Sequence, residues 1–315
     1  MVLIRYDTAG NFQWGQSNEA APNSLGRKVA VDADNSAYVT GWMEGHVIFH
    51  SNDGRDLAVD GFSGPVQSGP DFPGDAYVVK YDENGNAQWV NHIGGYKAVG
   101  VDLGTSRDGR VSVSGLIGNI ADSAQQAETI VTSRPGGKDI NLGGGALTRP
   151  YNKDVFFATW DEDGELLEAR RFGGPKDEGG SGIVYDRRGN LILAGVFQDT
   201  IKIGGRTLTE KGSFNLFLAQ FVRKGQSCFE ADPDEQHAFG VNTLSWVMGA
   251  KGPFVGAFSL GLEGGPRIGL TPRGDVLVTG QYEPGAQFGS FKLQSAGLED
   301  GFLALLKTPE QDKQQ

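Results

Sequence analysis

The stretch Gly74-Asp-Ala-Tyr-Val-Val-Lys-Tyr-Asp-Glu-Asn-Gly-Asn-Ala-Gln-Trp89 decides how the chain is read. Its first half is rich in aromatic and β-branched residues and is bounded by Gly and Asp, the composition of a strand. Asp82-Glu-Asn-Gly85 then supplies turn chemistry, and a second strand runs on through Trp89 to the pair Gly94-Gly95. This unit predicts two antiparallel strands joined by a tight turn.

The same unit returns along the chain. Asp154-Val-Phe-Phe-Ala-Thr-Trp-Asp161 leads into Asp161-Glu-Asp-Gly164 and a strand ending at Gly173-Gly174. The strand element alone recurs as Asn215-Leu-Phe-Leu-Ala-Gln-Phe221 and Asp300-Gly-Phe-Leu-Ala-Leu-Leu306, and Val2-Leu-Ile-Arg-Tyr-Asp7 is an orphaned first copy. A second signature precedes the complete copies: Asp34-Asn-Ser-Ala-Tyr-Val-Thr-Gly41, Asp108 to Gly115, Arg188 to Gly195 and Arg273 to Gly280. In each, Asn35, Gly109, Gly189 or Gly274 lies six positions before a closing glycine, at a place suited to positive φ. A further short strand comes earlier still, aligned as Lys28–Asp32, Ala98–Asp102, Gly182–Asp186 and Arg267–Leu270.

Four short strands per repeat, with closing glycines 74 to 85 residues apart, describe a propeller blade. A solenoid has a shorter period and a sandwich has no reason to repeat its sequence. The expectation is an all-β propeller of about four blades, or five if the orphaned copy belongs to a further one. It is a single domain over residues 1–308, with units near 1–26 (partial), 27–95, 96–174, 175–252 and 253–308, and a disordered tail at 309–315. Whether the ring closes or belongs to a longer propeller stays open. Two insertions, Asn119 to Asn152 and Arg223 to Asn242, are longer than blade turns and are where function is expected.

Composition agrees. Glycine supplies 49 of 315 residues without a collagen period, as many tight turns require. A net charge of −11 disfavours nucleic acid as a partner. No run reaches the ~18 apolar residues of a membrane helix, and the first residues lack the pattern of a secretory signal. Cys228, the one cysteine, excludes an internal disulfide.

The phrase from Gly74 to Trp89 with Gly94-Gly95 resembles the bacterial SBBP-type β-propeller repeats. The stretches beginning Ile201-Lys-Ile-Gly-Gly-Arg and Gln287-Phe-Gly-Ser are similar to the additional hairpin that some of those repeats carry between their second and third strands. The resemblance implies the propeller architecture and an extracellular, cell-surface or periplasmic setting. It implies no defined activity and no shared catalytic set.

The local motifs divide accordingly. Glu230-Ala-Asp-Pro-Asp-Glu-Gln-His237 gathers Glu230, Asp232, Asp234, Glu235 and His237 in one insertion, the candidate cation site, with Ca²⁺ as the ion; no other cofactor is expected. Asp82–Gly85 and Asp161–Gly164 resemble the start of a calcium loop, but turn chemistry suffices for them. His46 and His50 have zinc-like spacing for a helix; on a strand they stand ~13 Å apart and cannot share a metal. Arg273-Gly-Asp275 matches an adhesion tripeptide yet sits on the repeating turn. Trp14, Trp89 and Trp246 share one register and predict packing between blades. Trp42, just past a closing glycine, is the tryptophan expected to be exposed and to contact a ligand. No nucleophile elbow or phosphate loop is present. The favoured function is a non-enzymatic binding module for a protein or glycan. The alternative is a glycan-active hydrolase or lyase, cation-assisted, with its site on the propeller axis.

Overall fold

Each copy of the repeat folds into one antiparallel sheet in the computed structural model of the chain, which describes residues 1–21, 23–61, 74–94, 98–118, 130–132, 140–141, 153–223, 242–254 and 265–307. No helix occurs among them. Sheet I holds β1 (Val2–Tyr6) and β2 (Phe12–Ala21), extended by β5 (His46–Phe49) and β6 (Leu57–Asp60). Sheet II runs β3 (Ser24–Val31), β4 (Ala37–Met43), β7 (Asp75–Tyr81) and β8 (Ala87–Gly94), extended by β11 (Ile130–Thr132) and β12 (Ile140–Asn141). Sheet III comprises β9 (Val99–Thr105), β10 (Val111–Gly118), β13 (Lys153–Trp160) and β14 (Leu166–Phe172). Sheet IV comprises β15 (Glu178–Tyr185), β16 (Leu191–Ile203), β17 (Arg206–Arg223) and β18 (Asn242–Ala250). Sheet V has β19 (Arg267–Leu270), β20 (Val276–Tyr282) and β23 (Asp300–Leu306), beside the hairpin β21 (Gln287–Phe288) and β22 (Phe291–Lys292).

The sheets pack face to face in chain order, with one hydrophobic core per junction. Because side chains alternate across a strand, neighbouring residues serve different cores. Val39 faces sheet I with Trp14 and Phe49, whereas Tyr38 faces sheet III with Phe156. Phe157 lies with Ile183 between sheets III and IV, and Ile192 with Val278 between IV and V. This explains why β4 and β10 are buried along their whole length and read as nearly continuous apolar runs. The end sheets have one covered face only, so β1 and β23 alternate between covered and open positions.

One edge strand of each of sheets II to V, namely β3, β9, β15 and β19, touches its counterpart in the neighbouring sheet of that series. The first three of these inner strands share a β-bulge. Arg27, Val101 and Ser181 are the additional residues where register slips against β4, β10 and β16. The closing glycine of the repeat lies opposite: a Cβ on Gly41 or Gly115 would overlap the carbonyl of Leu25 or Val99. The glycine thus makes room for a strand pushed inward by its bulge.

The structure also corrects one alignment. The turn after β3 is capped by Asp32, and its counterparts are Ser106, Asp186 and Thr271. Asp102, aligned with Asp32 above, instead sits mid-strand, four residues before the capping Ser106. The bulge and a serine in the capping role hid this offset. At the outer edges, the connection between second and third strands sends a hairpin back to the preceding sheet. β5 pairs with β2, β11 with β8, Lys202 with Gly173 and Gln287 with Lys251.

Candidate functional site

The recurring polar residues hold the scaffold together. Asp82 Oδ1 accepts hydrogen bonds from the Asn84 and Asn86 amides at 2.9 and 2.8 Å, and Asp7 and Asp161 do the same in their turns. These carboxylates serve the backbone, as the turn reading expects. Trp14 Nε1 donates to the carbonyl of Glu83 at 2.9 Å, and Trp89 Nε1 to that of Glu162 at 3.0 Å. Each indole lies against the turn glycine of the next sheet, Gly85 or Gly164, where a Cβ would collide with the ring. Two residues on, Gln16 and Asn91 donate to Gly85 and Gly164 carbonyls at 2.8 and 2.9 Å. The tryptophan register is therefore an inter-sheet clamp.

The candidate residues distribute unevenly over this frame. Trp42 is only 7% exposed and packs with Val99 and Leu116, so its expected exposure is corrected. Trp42 lies on the second strand of an internal sheet, where every residue of β4 is buried. Glu230, Asp232, Asp234, Glu235 and His237 lie outside the described residues, as does Cys228. His46 bonds Asp60 at 2.7 Å and His50 bonds Asp56 at 2.9 Å, each histidine with its own acid. Gly274 of the Arg-Gly-Asp tripeptide is a turn residue at φ +92°, with Thr271 Oγ1 accepting from the amides of Arg273 and Asp275.

Three other places carry unspent chemistry. The first is the junction of sheets III and IV. Asp154 Oδ2 accepts from Arg171 Nε at 2.6 Å, and Glu178 Oε2 accepts from the Gly174 amide at 3.0 Å. The second oxygen of each carboxyl is buried without a hydrogen-bond partner. Burial first, then the charge of Asp154, pushes Glu178 up to about 9. Burial pushes Asp154 up to about 6 against the pull of Arg171. In sheet II the same register holds Asp75, bonded to His92 Nδ1 at 2.7 Å. The Gly-Gly ending has its reason here: Gly94 and Gly173 leave room for these aspartates.

The second place is β3, where burial first and then the charge of Arg267 lower the pKa of the half-buried Arg27. The third is the pair of open sheet faces. Val2, Ile4, Tyr6 and Phe12 are 49–72% exposed on sheet I, and Leu303 and Leu305 are 73% and 53% exposed on sheet V. Sequence reading missed all three because each depends on which sheet lies opposite.

No protein-family model matches this chain, and no curated protein matches it.

Proposed function

We propose that the chain is a β-propeller and that it serves as a non-enzymatic binding module for a protein partner. The blade reading rests on sheets stacked in chain order, on inner strands that touch in the same order, and on the charge of Arg267, on the fourth inner strand, reaching Arg27 on the first. A straight stack would hold those two strands three sheet spacings apart, about 30 Å. The resemblance to SBBP-type repeats belongs to the same proposal, as does an extracytoplasmic setting.

One observation carries the binding reading. Repeated polar and aromatic groups are committed to scaffold bonds, while Val2, Ile4, Tyr6, Phe12, Leu303 and Leu305 stand exposed on the open faces of sheets I and V. Interior sheets bury such faces against a neighbour, so these two have the chemistry of an interface. The partner is a protein that presents an apolar sheet surface. The hydrolase reading draws support from Asp154, Arg171 and Glu178, which come from two sheets, yet the carboxyls are sealed from solvent.

A dye that fluoresces on apolar surfaces, together with a panel of chromogenic glycosides, tests this. Dye binding that Ile4→Glu and Leu303→Glu abolish, with no glycoside turnover, supports the module. Turnover lost in Glu178→Gln, or dye binding indifferent to both substitutions, refutes it.

A further inference from the structure

The third strand of each repeat is β1, β7, β13, β17 or β23. The first four are each covered on one side by the strand that follows: β2, β8, β14 and β18 pair with them antiparallel. All four pairings shift register at one place, just before Tyr6, Tyr81, Trp160 or Phe221. Leu306 holds that position in β23, opposite Val276. Yet β23 ends its sheet. β20 covers one side, and no strand covers the other among the described residues.

That edge is also unguarded. Sheets blunt their edges with short strands, charges, prolines or bulges. The last strands of the other sheets follow this rule. β6 has four residues, β12 has two, and β14 carries Glu168, Arg170 and Arg171. β18 leads into Lys251, which pairs with Gln287 of the hairpin β21–β22. By contrast, β23 runs Phe302-Leu-Ala-Leu-Leu306 without charge or proline, in unbroken register with β20. Phe302 packs in the core with sheet IV, while Leu303 and Leu305 stand open.

Free backbone donors and acceptors flanked by apolar side chains select an extended strand. The repeat also indicates its chemistry. Phe217-Leu-Ala219 of β17 matches Phe302-Leu-Ala304, and β18 sets Met248, Val247 and Trp246 opposite Leu218, Ala219 and Gln220. We propose that β23 binds an extended, proline-free strand of the partner protein as an antiparallel fourth strand of sheet V. Its apolar residues lie opposite Leu303, Ala304 and Leu305, and the pairing breaks at Leu306. This rests on the protein-partner reading and names its mode of recognition, backbone hydrogen bonds with cross-strand apolar contacts.

The probe is a fluorescent peptide with the sequence of β18, Asn242–Ala250, titrated with the full chain and read by anisotropy. The chain binds it. Methylating alternate backbone nitrogens gives two more peptides, one blocked on the side that faces β23 and one on the far side. The first binds about 10-fold more weakly or worse, having lost at least two hydrogen bonds, and the second is tolerated. Leu305→Lys adds a charge of the guarding kind and weakens binding, with its thermal midpoint unchanged because the residue is 53% exposed. Ile4→Glu, on sheet I, leaves peptide binding unchanged. The dye reports on open faces and the methylation pattern on an edge, so the two readings fail separately. Absent binding overturns the proposal, and so does binding indifferent to which nitrogens are methylated, the mark of adsorption to a face. A dimer that Leu305→Lys dissociates and the peptide cannot open assigns the edge to a second copy and equally overturns it.

Discussion

Replacing Glu178 with glutamine should remove a specific pH dependence of stability. In the folded chain Glu178 is fully buried, bonded to one backbone amide, and close enough to Asp154 to feel its charge. Asp177 adds a further negative charge, and Arg171 supplies a positive charge bonded to Asp154. The folded pKa, about 9, lies above the ordinary 4.5, so folding retains a proton that the unfolded chain releases. Stability is therefore complete below the ordinary value and declines as pH rises from there towards about 9. One retained proton corresponds to about 1.4 kcal/mol per pH unit, or up to about 3 kcal/mol between pH 5.5 and 7.5. Glutamine keeps the shape and the acceptor for the Gly174 amide but does not titrate. Urea unfolding of both proteins at pH 5.5, 6.5 and 7.5 reads the effect. The variant should gain on wild type by up to about 1.4 kcal/mol for each unit of pH. Midpoints that move in parallel would refute the reasoning, since Glu178 would then be charged or solvated in the fold.

Other expectations follow from the clamps and close approaches. Trp89→Phe deletes the bond to the Glu162 carbonyl and should cost about 1 kcal/mol, whereas Trp89→Ala also empties the junction and should cost about 3–5 kcal/mol by denaturant titration. Gly115→Ala drives a methyl group into the Val99 carbonyl, so soluble yield should collapse or the thermal midpoint fall sharply, by about 2 kcal/mol or more in stability. Asp82→Ala frees two backbone amides and should cost about 1–2 kcal/mol. Asp82→Asn keeps an acceptor oxygen and should cost less in the same melts.

Much of this fold is legible locally. The turn of Asp82 to Gly85 and the alternation through Asp75–Tyr81 are properties of adjacent residues, so the hairpin can be read from its own sequence. The equivalence of Trp14 and Trp89 could likewise be read from register alone. The misreadings come from relations between strands. Ser106 replaces an aspartate as turn cap, so Asp102 took its place in the alignment and its pairing with Lys28 went unseen. Trp42 follows a glycine, which suggested a strand end, yet β4 continues through Met43 with neighbours on both faces. Glu168 and Arg170 occupy the register of Trp89 and Asn91 in the preceding repeat, forming a buried pair at 2.6 Å where the sequence offers no similarity. The Asp154–Glu178 approach and the effect of the Arg267 charge on Arg27 each join separate sheets. Nothing in the spacing of those residues along the chain signals them.

The central claim is that the sheets curve around a shared axis as blades. Spin labels at positions 28 and 267, on the first and fourth inner strands, measure this directly by pulsed dipolar spectroscopy in a Cys228→Ser background. The account predicts a single short separation, well below the ~30 Å that three sheet spacings give for a straight stack. A distribution centred at ~30 Å or beyond would contradict it.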